Sequence, residues 1–372
     1  MSRPDASASL GVALLHFAYW PEVRRGTERL VHDLGRDLSE LGHRPRIVTS
    51  HAGSSTYTVE EGVPVIRNRR PPETVLRHRG FQDHVAHLPF SYRSLRRGDD
   101  DVAHAFYPTD ALAALRWRRR TGRPVVTSLL GIPERAALSN LRNRLRIFER
   151  ATRDADAVVV LGPAARDATW RWLGVEARII APGVDLARFT PGGERTELPT
   201  IASAAAPDDP RKRVGLLVRG FRRLRRERPD VHLRLTRPRD PAMLRELEAE
   251  PGVELHELTS DEVPELFRSA WLSALTSRQE AFGLVVVESL ACGTPAVGPD
   301  DGGVREIIDR PEVGRLFAGD DEVEVARALA EALELAEDPG TAAACRARAE
   351  AFSTIASARA HEALYRELLA SG

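Results

Sequence analysis

Two glutamates and one lysine carry most of the chemistry that this sequence can do. Glu280 and Glu288 flank the run Ala281-Phe282-Gly283-Leu284-Val285-Val286-Val287, inside the segment Ser277 to Pro295. An apolar strand, Trp271 to Leu275, precedes that segment. The segment opens a helix that Gly293 caps and that Pro295 keeps from continuing. The first amides of a helix have no intrahelical acceptor, so Phe282 to Leu284 offer N–H donors to a phosphate, and Gly283 lets the backbone come close. Glu288 lies among Val285, Val286, Val287, Leu290 and Ala291, where a carboxylate is costly unless something hydrogen-bonds it. Ligand hydroxyls would do so. Along a helix the two carboxylates are at most ~12 Å apart, a span that grips two ends of an extended ligand whose diphosphate rests on the helix start. The alternative is a capping box from Ser277 to Glu280 with Glu288 facing solvent.

The lysine is Lys212. Of the 54 basic residues it alone is not arginine. In such a chain a lone lysine marks a site that wants a compact ammonium and rejects a planar guanidinium. Basic and acidic residues balance at 54 each, which argues against a nucleic-acid partner. Cys292 and Cys345 are too few for a disulfide framework and suit a reducing cytoplasm. The apolar stretch Leu10 to Trp20 is interrupted by His16 and reads as a buried strand and not as a secretory leader. No stretch is long enough to span a membrane. The clusters Arg118 to Arg120 and Arg222 to Arg228 read as solvated helix faces and leave room for peripheral membrane contact.

The elements that must position these residues alternate from strand to helix along the chain, which predicts α/β architecture with parallel sheets. Strands are expected at Leu10 to Phe17, Arg46 to Thr49, Val63 to Arg67, Val102 to His104, Pro124 to Ser128 and Ala157 to Leu161, with helices at Glu28 to Leu41 and Ala164 to Leu173. The stretch Ala181 to Leu198 has neither period and reads as a linker. Beyond it the alternation restarts, with strands near Thr200, Val231, Val253 and Trp271 and helices at Val214 to Arg226, Ala242 to Glu248 and Asp261 to Arg268. At 372 residues and 42% hydrophobic the chain can bury two cores, so two α/β domains with a cleft between them are expected. The tail, Glu322 to Leu335 and Thr341 to Leu369, reads as helix. Asp99-Asp100-Asp101 reads as a solvated turn, with a metal-bound diphosphate as the minor alternative.

At this point the sequence resembles the retaining glycosyltransferases of family 4, which share the two-domain GT-B fold. The Glu280 to Glu288 spacing, the Phe282-Gly283-Leu284 insert and Ala291-Cys292-Gly293-Thr294-Pro295 carry the resemblance. So do Gly26-Thr27-Glu28, Asp101-Val102-Ala103-His104, Ala181-Pro182-Gly183-Val184-Asp185, Asp301-Gly302-Gly303-Val304-Arg305-Glu306 and the terminal helix around Tyr365. The resemblance implies an acceptor-binding Rossmann-like domain over residues 1–183, with a helix at 352–372 packing back on it, and a donor-binding Rossmann-like domain over 184–351. It implies that Glu280 contacts the transferred sugar, that the amides of Phe282, Gly283 and Leu284 hold sugar and diphosphate, and that Glu288 binds ribose hydroxyls. Lys212 would neutralise the diphosphate, and Gly26 and Glu28 would lie at the acceptor cleft with His104, for which a satisfied structural histidine at a strand end is the alternative.

This chain departs from the family pattern at three places. Ala206 stands where a second cation is usual, six positions before the lysine, and Arg211 or Arg213 is the replacement at hand. Leu130 stands before Gly131 where a histidine is common, and Arg25 replaces the first glycine of the N-terminal loop. The implied reaction moves a hexose from a UDP- or GDP-sugar to a small-molecule, glycan or lipid-linked acceptor, with retention, without metal or cofactor. A partner protein that binds nucleotide sugar without turnover is the alternative.

Overall fold

The computed structural model describes residues 8–371 apart from 21, 24–25, 73 and 79–83, and only the backbone of 75 and 77; Arg25 therefore lies outside the described residues. The chain forms two compact units, one of residues up to Pro182 joined by Thr354–Gly372, the other Gly183–Ser353.

The first unit is built on eight strands: β1 Gly11–Leu15, β2 Arg44–His51, β3 Thr56–Glu60, β4 Val63–Arg69, β5 Val102–Ala105, β6 Val125–Leu129, β7 Ala157–Val160 and β8 Arg178–Ile179. They pair in the order β3-β4-β2-β1-β5-β6-β7-β8. All pairs are parallel except β3 with β4. β1 shows why its residues are apolar on both sides. Val12 and Leu14 pack with Val31, Leu34 and Leu38 of the helix Gly26–Glu40, whereas Ala13 and Leu15 pack with Ala111, Ala114 and Trp117 of the helix Pro108–Thr121. A strand covered by helices on both faces has no polar side to show. The C-terminal helix Thr354–Ser371 adds Ala358, Leu364 and Tyr365 to the first of these clusters.

The second unit is an all-parallel sheet of six strands, β9 Thr200–Ser203, β10 His232–Thr236, β11 Val253–His256, β12 Leu272–Ala274, β13 Ala296–Pro299 and β14 Gly314–Phe317. Their order is β11-β10-β9-β12-β13-β14. The winding reverses between β9 and β12, and at such a switch point the loops leaving the carboxyl ends of the two strands diverge and leave room for a ligand.

Three expectations need correction. His104 is not a cleft residue: it is wholly buried in β5, because both faces of that strand are covered. Asp99-Asp100-Asp101 is not a solvated turn. Arg46 holds the buried Asp100 through Nε, at 2.7 Å, and Nη2, Asp101 accepts from the Gly11 amide at 2.7 Å, and Asp99 pairs with Arg123, so the run pins the start of β5 to its neighbours. The tail is not one continuous helix after Thr341 but two, Thr341–Glu350 and Thr354–Ser371, and the chain passes from the second unit to the first between them.

Candidate active site

Lys212 and Glu280 come from the two loops that the switch point separates, one after β9 and one after β12. Lys212 closes a 3-10 turn, Pro210–Lys212, whose first turn is fixed by Asp209 accepting from the Arg211 amide at 3.0 Å. Arg213 follows with a left-handed backbone, φ +48°. That turn is fastened to the other loop at several points. Thr276 Oγ1 lies within 2.9 Å of the Lys212 carbonyl and 3.0 Å of that of Arg213, the Arg278 amide donates to the Arg211 carbonyl at 2.9 Å, and Arg213 Nε donates to the Thr276 carbonyl at 2.7 Å. The result brings Lys212 Nζ to 2.8 Å from Glu280 Oε2 with both side chains half-buried. Residues 68 apart in sequence form one charged pair.

The helix of this segment runs Leu284–Ala291, with Gly283 as its N-cap at φ +106°. Its start lies after Glu280, so Ser277 to Glu280 is no capping box here, and the buried Ser277 hydroxyl has no hydrogen-bond partner among the described residues. The glycine pair Gly302-Gly303 packs on the same loop. The Gly303 amide donates to the Glu280 carbonyl at 2.9 Å, and a Cβ on Gly303 would lie 2.4 Å from Phe282 Cα. Glu288 sits in the second turn of the helix at 3% exposure, beside Val286, Val287 and Leu290. The remaining cations are tied down differently. Arg213 pairs with Asp320, and the exposed Arg211 pairs with Asp209, whose carboxyl this guanidinium holds below its ordinary range. Ala206 is exposed in the loop after β9.

The first unit has its own switch point, between β1 and β5, and a cavity of about 390 Å³ opens there. The loops after β1, β5 and β6 line it. Thr27 and Glu28 reach it from the first turn of the helix Gly26–Glu40, and Leu130 and Gly131 from the end of β6. Sequence reasoning missed His16, Tyr107, Ser128, Glu134 and Arg144, which also line it. No local spacing links them; only the sheet order does. His104 lies behind this cavity. Its Nδ1 is 2.6 Å from Tyr365 Oη and its Nε2 is 2.7 Å from Ser128 Oγ, so both ring nitrogens are engaged.

Comparison with known proteins places the chain in a family. Residues 24–188 match Glycosyltransferase Family 4, and residues 199–335 match Glycosyl transferases group 1. The chain is 27% identical to a phosphatidyl-myo-inositol mannosyltransferase of Propionibacterium freudenreichii over 84% of each chain. It is 35% identical to a D-inositol 3-phosphate glycosyltransferase of Salinispora arenicola, but that likeness spans only 42% of this chain and 41% of that protein. A solved sucrose-phosphate synthase from Thermosynechococcus elongatus shares the fold with a TM-score of 0.79 at 20% identity, over 98% of this chain and 100% of that one. The chain belongs to the family 4 glycosyltransferases and has the GT-B fold.

Proposed function

We propose that this glycosyltransferase moves a hexose from a UDP- or GDP-sugar to a hydroxyl or amine of an acceptor, with retention of the anomeric configuration. The observation that carries the reading is the Lys212–Glu280 pair, 2.8 Å apart beside the N-terminus of the helix Leu284–Ala291. A diphosphate competes with Glu280 for the ammonium, and the carboxylate so released is free to accept from sugar hydroxyls. Charge grows on the departing diphosphate as the glycosidic bond breaks, so Lys212 and the amides of Gly283 and Leu284 stabilise the transition state more than the ground state. Glu288 serves the ribose. Neutralisation by an ammonium and amides asks for no metal. The acceptor occupies the first unit's cavity, which Glu28 lines and Gly26 adjoins in sequence through Thr27. The relatives named for inositol 3-phosphate and phosphatidyl-myo-inositol make inositol-bearing acceptors the first to try.

The purified chain, incubated with UDP- and GDP-hexoses and with myo-inositol, its 3-phosphate or phosphatidylinositol, is expected to give a hexosylated product by mass spectrometry. NMR of the product's anomeric proton then tests retention. Glu280→Ala is expected to abolish transfer. Equal product from both proteins would remove Glu280 from the mechanism, and nucleotide binding without turnover in any combination would make the chain a binding partner.

A further inference from the structure

Behind the first unit's cavity runs a buried chain of three polar side chains that the donor chemistry leaves unused. Tyr365 and His104 are wholly buried, and Ser128, at 2% exposure, lines the cavity. Tyr365 Oη is bonded to His104 Nδ1, and His104 Nε2 to Ser128 Oγ. Among the described residues neither hydroxyl has another hydrogen-bond partner.

Two proton arrangements fit these distances. In one, His104 carries its proton on Nδ1 and donates it to Tyr365. The phenol proton then points into the core with no acceptor, which is the expensive way to bury a hydroxyl. In the other, Tyr365 donates to Nδ1, the neutral ring carries its proton on Nε2 and donates to Ser128 Oγ. The Ser128 proton is then left over, and it alone in the chain borders a space where a ligand can receive it. A doubly protonated ring is excluded by complete burial and by His361, whose ring centroid lies 5.3 Å away. The second arrangement leaves unmet only the Ser128 proton, at the residue that lines the cavity.

We propose that Ser128 is a fixed hydrogen-bond donor into the cavity, that it selects an acceptor presenting an oxygen lone pair there, and that His104 and Tyr365 are its positioning residues. The proposal deepens, and rests on, the transferase reading. The rest of the wall supplies the complementary groups. His16 Nδ1 donates to the Ala18 carbonyl at 2.7 Å, so in a neutral ring Nε2 is the accepting nitrogen, and Glu28 and Glu134 also line the cavity. Phe17, Phe106 and Phe148 bring aromatic surface. Arg144 adds a guanidinium and Thr27 and Tyr107 add hydroxyls, so donors, acceptors and apolar ring faces together fit a polyhydroxylated ring, whose hydroxyls serve both kinds of group and whose C–H faces cover the aromatics.

The deciding experiment reads the tautomer of His104 by long-range proton–nitrogen NMR on the full chain labelled with ¹⁵N-histidine, assigned by His104→Gln. The expected form is neutral with the proton on Nε2; a proton on Nδ1 overturns the proposal. This measurement needs no substrate, so a lost transferase reading is told apart from a lost Ser128. With myo-inositol as the acceptor probe, Ser128→Ala is expected to raise the acceptor KM about two- to tenfold and to leave the donor KM alone. Tyr365→Phe is expected to move the acceptor KM the same way, and the double variant to be no worse than Ser128→Ala. An acceptor KM that Ser128→Ala does not change overturns the proposal as well.

Discussion

In the proposed reaction Lys212 matters greatly to the chemistry and little to folding. Its ammonium meets Glu280 at 2.8 Å, but each side chain is about a quarter exposed. Ion pairs so open to water contribute about 0–1 kcal/mol. Lys212→Ala is therefore expected to leave the melting temperature nearly unchanged. Opposite a diphosphate in the proposed transition state the same charge would be worth more, because losing one preorganised donor costs roughly 10²–10³ in kcat. Donor-saturation kinetics of Lys212→Ala should show a fall of that order, and Lys212→Arg should not restore it, since Arg213 and Arg278 already crowd the loop with guanidinium groups paired to Asp320. Wild-type kinetics in Lys212→Ala would make the only lysine an accident of composition.

At the scale of elements, the proposed donor site depends on the closeness of two loops. Gly302 has a left-handed backbone, φ +59°, and a Cβ there would lie 2.5 Å from the Glu280 carbonyl oxygen. A Cβ on Gly303 would lie 2.6 Å from the Phe282 carbonyl oxygen and 2.7 Å from that of Ala281. These are backbone atoms, so the loop carrying Glu280 must move to admit a methyl group. Gly303→Ala is expected to cost about 1–3 kcal/mol in denaturant unfolding and to weaken UDP binding in calorimetry by more than it weakens folding. Binding equal to wild type would show that the loop tolerates the shift. This closeness is also why only part of the site could be read in advance. The Glu280 segment is local, and the lone lysine announces itself by composition. The cavity residues Ser128, Glu134 and Arg144 meet through sheet order, which no spacing encodes. His104 could be read either way because a histidine at the end of a short apolar strand looks the same in sequence whether it faces a ligand or Tyr365. β3 escaped notice because Thr56–Val59 are exposed and show no buried face, and an edge hairpin strand needs none.

At the scale of the whole molecule, the two units should answer acid differently, because the buried histidine pair belongs to the first. Burial pushes His361 down to about 4, against the contrary pull of its hydrogen bond to the Ser357 carbonyl, and burial beside His361 drives His104 well below its ordinary value. In the unfolded chain both titrate near 6.5. Between pH 6.5 and about 4 the unfolded chain therefore takes up protons that the folded unit refuses. The stabilisation is complete above pH 6.5 and drains away as the pH falls through this window. For His361 alone it amounts to about 3 kcal/mol at ~1.4 kcal/mol per pKa unit. Carboxylates held low by arginine partners, such as Glu254 and Asp309, lose their contribution only below about pH 5, where unfolded carboxyls begin to protonate. Denaturant unfolding measured from pH 7.5 to 5 thus isolates the histidines. Stability is expected to fall across that range with a slope that His361→Met reduces by close to one proton, and the loss should appear in the transition that exposes Tyr365. A flat profile in wild type, or an unchanged slope in His361→Met, would mean that water reaches the His104–Tyr365 core.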